Sequence, residues 1–389
     1  MKLACVVQRY GPEITGGSEA HCREVAVRLG ERHEVEVLTS CARDYLHWHN
    51  VYPAGSSADG RVHVRRFRVA RPRNLPELAD IAAHATDRRR RTTEDQQAWF
   101  RANGPEVPGL LAHLAAHAPT YDLVLFWTYR YFPSYFGLPL AEGRAVLVPT
   151  AEEDPVLDFP VLREFFRRPR GCVFLTEEER AYVGERAGGG LPPSVVVGTG
   201  LEPPRPAPPG ALAGLELPDP FVLFLGRVDR NKGCDTLVRY VRRYAEEGGR
   251  PVTLVLAGPV HMPLPDHPRI RPLGFVSDEV RDALLDRARA LVMPSPYESL
   301  SIALLEGWNR RRPALVNGRS SVLRGQVRRA NGGLYYGTYR EFAAALELLL
   351  DDPERAARLG AQGAAYVERE YRWPTVMTRL EQFLQSLPP

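Results

Sequence analysis

The chain has 389 residues, is 44% hydrophobic and 25% charged, and carries a formal net charge of +4. That length favours two domains, the composition is that of a globular protein, and so weak a positive charge gives no reason to expect a nucleic-acid partner. No apolar run approaches the ~18 residues that cross a bilayer, and five scattered cysteines without a CxxC pair predict neither a disulfide framework nor a zinc site.

The opening MKLACVVQRYGP has one lysine and a short apolar run, which reads as a buried first strand and not as a signal peptide. The chain is therefore expected to be cytoplasmic. A Gly-rich turn, EITGGSEA, follows, then a helical stretch to Leu29. HEVEVLTS (33–40) and VHVRRFRV (62–69) read as strands. The segment 61–101 holds eleven arginines against five acids, including RRRR at 88–91. It predicts a solvated face, or else peripheral contact with an acidic acceptor or an anionic membrane surface. A polar helical region leads to YDLVLFWTY (121–129), AVLVPTAE (145–152) and GCVFLT (171–176), three further strands. Strand and helix alternating in this way predict an α/β fold with a parallel sheet covered on both faces.

The proline-rich stretch 201–220 breaks the pattern, because proline fixes φ and removes a donor. It predicts an interdomain linker. The same rhythm then restarts with FVLFLGRV (221–228), a helix from about Cys234 to Glu247, TLVLAG (253–258), RPLGFV (271–276), a helix, and ALVMPS (290–295). Two Rossmann-like domains are expected, 1–200 and 201–372, with a C-terminal helical segment 373–389 packing back on the first.

Parallel α/β sheets bind ligands beyond the carboxyl ends of their strands, and three stretches fall there. Gly16 and Gly17 precede a helix, where paired glycines let backbone approach a ligand and amides can hold an anion. They read equally as a plain turn. Arg227 and Lys232 lie in GRVDRNKG, after the first strand of the second domain. Lys2 and Lys232 are the only lysines among 51 basic residues. A forked donor beside a compact point charge suits a diphosphate. In PSPYESLSIALLE, Glu298 precedes a helix expected to begin near Leu300 or Ser301, and Glu306 lies inside it. Both could accept bonds from sugar hydroxyls, with the amides of Ser299, Leu300 and Ser301 at the helix start facing an anion. No GxGxxG follows a predicted strand, which counts against a dinucleotide dehydrogenase.

GGSE at 16–19, GRVDRNKG at 226–233, LGFVSD at 273–278 and ESLSIALLE at 298–306 together resemble the retaining family 4 glycosyltransferases of the GT-B fold. The last of these is similar to that family's E-x7-E motif, and the resemblance runs along essentially the whole chain. It implies two Rossmann-like domains facing across a cleft, with a UDP- or GDP-sugar donor held mainly by the second and the acceptor by the first. It implies that Arg227 and Lys232 hold the donor diphosphate, Glu306 the ribose hydroxyls and Glu298 the hydroxyls of the transferred sugar. Phe275 would wall the base pocket, and Gly16 and Gly17 would approach the phosphates.

One stretch departs from the family. Where relatives often carry a histidine, in HDEP, this chain has AEEDP, with Glu152 in that place. A carboxylate accepts but does not donate unless protonated, so a role for Glu152 survives only as an acceptor, with Asp154 and Glu153 as alternatives. A charged surface turn is the other reading. Trp127, Tyr129 and Tyr131 are candidates for stacking on an acceptor sugar, or equally for core positions. No DxD triplet is present, so neither a metal nor another cofactor is required. A catalytically weak sugar-nucleotide binder and a GT-B sugar-phosphate phosphorylase remain as alternatives to transfer.

Overall fold

The apolar runs become strands buried on both faces. The computed structural model describes residues 1–14 and 16–387, and the chain divides into two units. One is Met1–Gly198 with the segment from Met377 onward, the other Thr199–Val376. The last two residues of the predicted C-terminal segment 373–389 lie outside the described residues.

The first unit contains β1 (Lys2–Val6), β2 (Glu34–Ser40), β3 (Gly55–Asp59), β4 (Val62–Phe67), β5 (Leu123–Trp127), β6 (Ala145–Val148), β7 (Gly171–Phe174) and β8 (Ser194–Val196). They form one sheet in the order β3-β4-β2-β1-β5-β6-β7-β8. Only the β3–β4 pair is antiparallel. The chain winds outward from β1 through β2, then returns to β5 on the other side. The order therefore reverses between β1 and β5, where Val6 lies opposite Phe126. Such a reversal splays the connections apart and leaves a crevice at the carboxyl ends of the two strands.

The second unit contains β9 (Phe221–Leu225), β10 (Thr253–Ala257), β11 (Ile270–Gly274), β12 (Ala290–Met293), β13 (Ala314–Asn317) and β14 (Gly333–Tyr336). All six are parallel, in the order β11-β10-β9-β12-β13-β14. Its reversal lies between β9 and β12. The core of one face gathers Val222, Phe224, Leu237, Val241, Leu254 and Phe342, from β9, β10 and two covering helices. Residues 202–220 hold no helix or strand, as the prolines dictate.

The helix Trp373–Ser386 starts against Gly200, where a Cβ would meet the Trp373 indole at 2.0 Å. From Met377 it belongs to the first unit, where Glu381 receives Arg32 at 2.8 Å and lies 3.4 Å from His33 Nε2.

Candidate active site

The motifs of the second unit sit at its reversal point. β9 leaves as GRVDRNKG through Gly226, at φ 137°. A Cβ on Gly258 would stand 1.9 Å from the Gly226 carbonyl oxygen, so only glycine lets these two strand ends approach. Gly233, at φ 72°, closes the loop before the helix Cys234–Glu246, and a Cβ there would meet the Pro294 carbonyl at 2.4 Å. The loops after β9 and β12 are thus in contact. Asp229 braces the first: its Oδ1 accepts the Lys232 amide at 2.7 Å, and its Oδ2 lies 3.8 Å from Arg227 Nε. The Lys232 ammonium reaches Glu298 Oε1 at 2.9 Å. Arg227, Lys232 and Glu298 are therefore brought to one place by two loops.

The segment after β12 is held under backbone strain. Ser301 has φ 70° and ψ 82°, left-handed space that a non-glycine residue occupies at a cost. The helix Ile302–Asn309 begins directly after it. Ser301 Oγ is buried with no partner among the described residues, and the amides of Leu300 and Ser301 donate to none of them. The Leu300 carbonyl is fixed by Gln326 Nε2 at 2.7 Å, and Gln326 in turn accepts from Tyr371 at 3.2 Å. Strain and unpaired amides at a helix start suit an anion.

Glu306 lies just over a turn into that helix. Burial pushes its carboxyl above the ordinary range, and Arg281, 3.5 Å away, opposes the shift. Arg281 also pairs with Asp278 and Asp282, and Arg310 with Asp282 and Asp286. Phe275, just beyond β11, is 74% exposed, so its ring faces solvent in the free chain.

In the first unit, Gly16 caps the helix Gly17–Leu29 in extended geometry. A Cβ on Gly16 would meet Glu19 Oε2 at 2.4 Å, whereas Gly17 has open space around it. Glu19 is buried and paired with Arg9, whose Nε lies 2.9 Å from Glu19 Oε1. Ser18 donates to the other Glu19 oxygen at 2.7 Å and accepts from Gln8 at 3.3 Å.

For two of the aromatic candidates the structure favours the core reading over stacking. Trp127 is the last residue of β5, sealed in the core, where its indole donates to His21 Nδ1 at 3.1 Å. Tyr129 is equally buried and its hydroxyl donates to Asp154 at 3.2 Å. Neither presents a face for stacking, because the β5 side chains remain inside the sheet layers to the strand's end. Tyr131 is half-buried, with its ring edge-on to Trp48 at 5.5 Å.

Asp154 is a bracing residue. It accepts the amides of Val156 and Leu157 and pairs with Arg130 at 2.7 Å. Glu152 is half-buried and Glu153 exposed on the same loop. That loop is anchored from below by Glu179, whose two oxygens take the amides of Ala151 and Leu175 at 2.6 Å each. Tyr182 donates to the Ala151 carbonyl. Among the described residues no group of three or more His, Cys, Asp or Glu side chains is placed to hold a metal ion.

The chain is similar to several known proteins. The family described as "Glycosyl transferases group 1" matches residues 219–352. The α-D-kanosaminyltransferase of Streptomyces kanamyceticus is 31% identical over 168 residues, 39% of this chain and 42% of that protein, so the match spans less than half of the curated relative. Among solved structures, sucrose-phosphate synthase from Thermosynechococcus elongatus superposes with a TM-score of 0.73 at 17% identity, covering 99% of this chain and 98% of the other. Anabaena HepE in complex with UDP-glucose superposes at 0.71, with 16% identity and both chains covered in full. The fold is GT-B.

The family match contains Arg227, Lys232, Phe275, Glu298 and Glu306 and leaves the first unit outside it. Sequence reading missed Arg281, Glu179 and His21. Arg281 sits at the middle of an ordinary charged helix, DEVRDALLDR, and only the fold brings it to Glu306. Glu179 stands in EEER, which looks like a solvated helix start, yet it is the acid of that run that turns inward.

Proposed function

We propose that this chain is a retaining glycosyltransferase of family 4. It would move a sugar from a UDP- or GDP-sugar to an acceptor hydroxyl without a metal ion, in glycan, glycolipid or glycoside biosynthesis. The observation that carries the reading is the meeting of Arg227, Lys232 and Glu298 at the strand reversal of the second unit. The HepE complex with UDP-glucose supports a uridine donor, and the kanosaminyltransferase supports transfer of a hexose-type sugar. The second domain, taken as 201–372, is the donor domain in this reading, and 1–200 with 373–389 the acceptor domain.

The chemistry asks most of the site when the nucleoside diphosphate leaves. Arg227, Lys232 and the unpaired amides of Leu300 and Ser301, beside Ser299, place positive charge where the β-phosphate becomes more negative. Glu298 accepts from hydroxyls of the transferred sugar and Glu306 from those of the ribose, while Phe275 closes over the base. The leaving phosphate itself takes the acceptor proton, on the face from which it departs, which retains the anomeric configuration. Gly16 and Gly17 bring backbone close to the donor phosphates, and Glu152 accepts from a hydroxyl of the donor. The arginine-rich segment 61–101 would give the protein peripheral affinity for an anionic membrane. Among the described residues no helix is long and apolar enough to cross one.

Thermal-shift screening across UDP-, GDP- and ADP-sugars tests the donor, since a ligand that binds only the native state raises its stability by RT ln(1 + [L]/Kd). Proton NMR of the product's anomeric signal tests retention. No stabilisation by any nucleotide sugar would refute the reading, and stabilisation without turnover would leave only a sugar-nucleotide binder.

A further inference from the structure

One buried glutamine governs the direction of an amide in the second unit. Gln326 lies on the helix Ser321–Ala330 and is fully buried. The Leu300 carbonyl can only accept, so it is the nitrogen Nε2 that faces it, at 2.7 Å. That leaves Oε1 toward Tyr371, whose hydroxyl donates to it at 3.2 Å. Tyr371 is held in turn, because its own carbonyl takes the Leu201 amide at 2.6 Å. The side-chain amide therefore has one orientation. It offers the peptide before Ser301 a donor and no acceptor.

The peptide between Leu300 and Ser301 is trans, so its carbonyl oxygen and its N–H point to opposite sides. With the Leu300 oxygen turned to Gln326, the Ser301 N–H is aimed away from it and meets no acceptor among the described residues. Local preference favours the reverse. Turning this one peptide over would change Leu300 ψ and Ser301 φ by about 180°, carrying Ser301 from φ 70° to about −110°, where any L-residue is comfortable. The turned-over peptide would put the Leu300 oxygen where the N–H now is, and an oxygen that only accepts cannot bond an anion. The strain at Ser301 and the direction of its amide are thus a single choice. The hydrogen bond from Gln326 favours the strained side of it.

We propose that Gln326 is a positioning residue of the donor site: by holding the Leu300 carbonyl it keeps the Ser301 N–H turned away from itself and available to the β-phosphate of the nucleotide. This rests on the reading of the second unit as the donor domain. Gln326 acts through the Leu300–Ser301 peptide, and Tyr371 acts through Gln326.

The test is a calorimetric titration of the full chain with UDP and with UMP, or with GDP and GMP where guanosine is the base bound. The parent should prefer the diphosphate, which alone carries the β-phosphate. Gln326→Met keeps the length of the side chain but has no donor, and its sulfur is a weak acceptor that suits a turned-over N–H. Diphosphate binding should weaken about tenfold or more, as loss of a charge-assisted bond implies, while monophosphate binding changes by less than about twofold. Tyr371→Phe releases Gln326 Oε1 and should shrink the preference by a smaller factor; it carries the comparison if Gln326→Met does not fold. Ser301→Gly added to Gln326→Met should restore part of the preference, since glycine adopts φ 70° without strain and lets the anion itself orient the peptide. A residue that merely supports the fold would weaken both nucleotides alike and would not be rescued in this way. Equal weakening of the two, a full diphosphate preference retained in both single variants, or a parent with no such preference overturns the inference. A parent that binds none of the four nucleotides sinks the donor assignment as well, whereas a parent that prefers the diphosphate beside variants that keep the preference sinks only the role of Gln326.

Discussion

Lys232 and Glu298 hold one another across 2.9 Å, the lysine from the loop after β9 and the glutamate from the loop after β12. Their side chains are 24% and 10% exposed, so the pair is only partly screened by solvent. It sets the position of a cation that, in the proposed reaction, must face both a sugar hydroxyl acceptor and a diphosphate. Lys232→Ala removes the point charge and leaves Glu298 without this partner. It should raise the donor KM and lower kcat/KM by about tenfold or more, consistent with the ~1.5–3 kcal/mol of a hydrogen bond to a charged group. Lys232→Arg should not restore activity, because a planar fork does not replace a compact ammonium in that space. Donor kinetics unchanged in both variants would remove Lys232 from the site.

Glu298 and Glu306 should fail in different ways. Glu298→Gln touches the transferred sugar, so it should lower kcat and blur discrimination among sugars on one nucleotide. Glu306→Gln should mainly raise the donor KM. Arg281 gives the second acid a pH signature. Burial raises the Glu306 carboxyl and Arg281 counters it. Replacing Arg281 with leucine should raise it further, so that a higher pH is needed to ionise Glu306. The donor KM of Arg281→Leu should therefore be worse at pH 6 than at pH 8, relative to the parent chain. A KM ratio independent of pH would mean that Glu306 does not meet the donor as a carboxylate.

The candidate site motifs of the second unit were more legible in the sequence than those of the first, for a physical reason. β9, β10 and β12 are continuous apolar runs ended by glycine or proline, and the chemical residues follow them directly in the chain. Four strands went unread: Gly55–Asp59 is polar and edge-lying, Ser194–Val196 is very short, and Ala314–Asn317 and Gly333–Tyr336 are four-residue pieces between helices. The aromatic segment 127–136 left stacking and core open because its composition suits both, whereas burial is decided by the layers on each side of β5. Ser301 could not be foreseen at φ 70°, since local preference argues against it and only the surrounding contacts enforce it.

Glu179 anchors the acidic loop through two backbone amides, and burial pushes its carboxyl up to about 8 against the pull of those amides. A raised carboxyl pKa contributes stability that is complete below the ordinary value, near 4.5, and is lost as pH rises through about 8. Glu179→Gln sets an amide NH2 against one of the two backbone N–H groups. It should cost about 1–3 kcal/mol in urea unfolding and slow transfer by loosening Glu152 to Asp154. The difference in stability between the parent and Glu179→Gln should narrow from about pH 5 to pH 8 and level off above that. A constant difference would show that Glu179 does not titrate in that range.

His21 makes the opposite prediction. Trp127 Nε1 can only donate, so His21 Nδ1 must accept, and the ring proton therefore lies on Nε2, donated to the Gly198 carbonyl at 3.1 Å. Protonation would place a second N–H against that of Trp127. Burial accordingly lowers the pKa from 6.5 to about 4, the Gly198 carbonyl opposing the shift. A base with a depressed folded pKa contributes stability that is present above its unfolded value and lost as pH falls toward the folded one. The parent chain should lose about 3 kcal/mol through this residue between roughly pH 6.5 and 4. His21→Gln retains one donor and one acceptor and has no charge to gain. It should be somewhat less stable at pH 7, where the ring packs better, and its stability should fall less steeply on acidification. Urea unfolding of both chains at pH 7, 6, 5 and 4.5 measures the two slopes, and the carboxylates that titrate in both cancel in the difference. Parallel slopes would mean that the His21 ring is protonated in the native state or exposed to solvent, and that the Trp127–His21–Gly198 chain does not hold the end of the first unit.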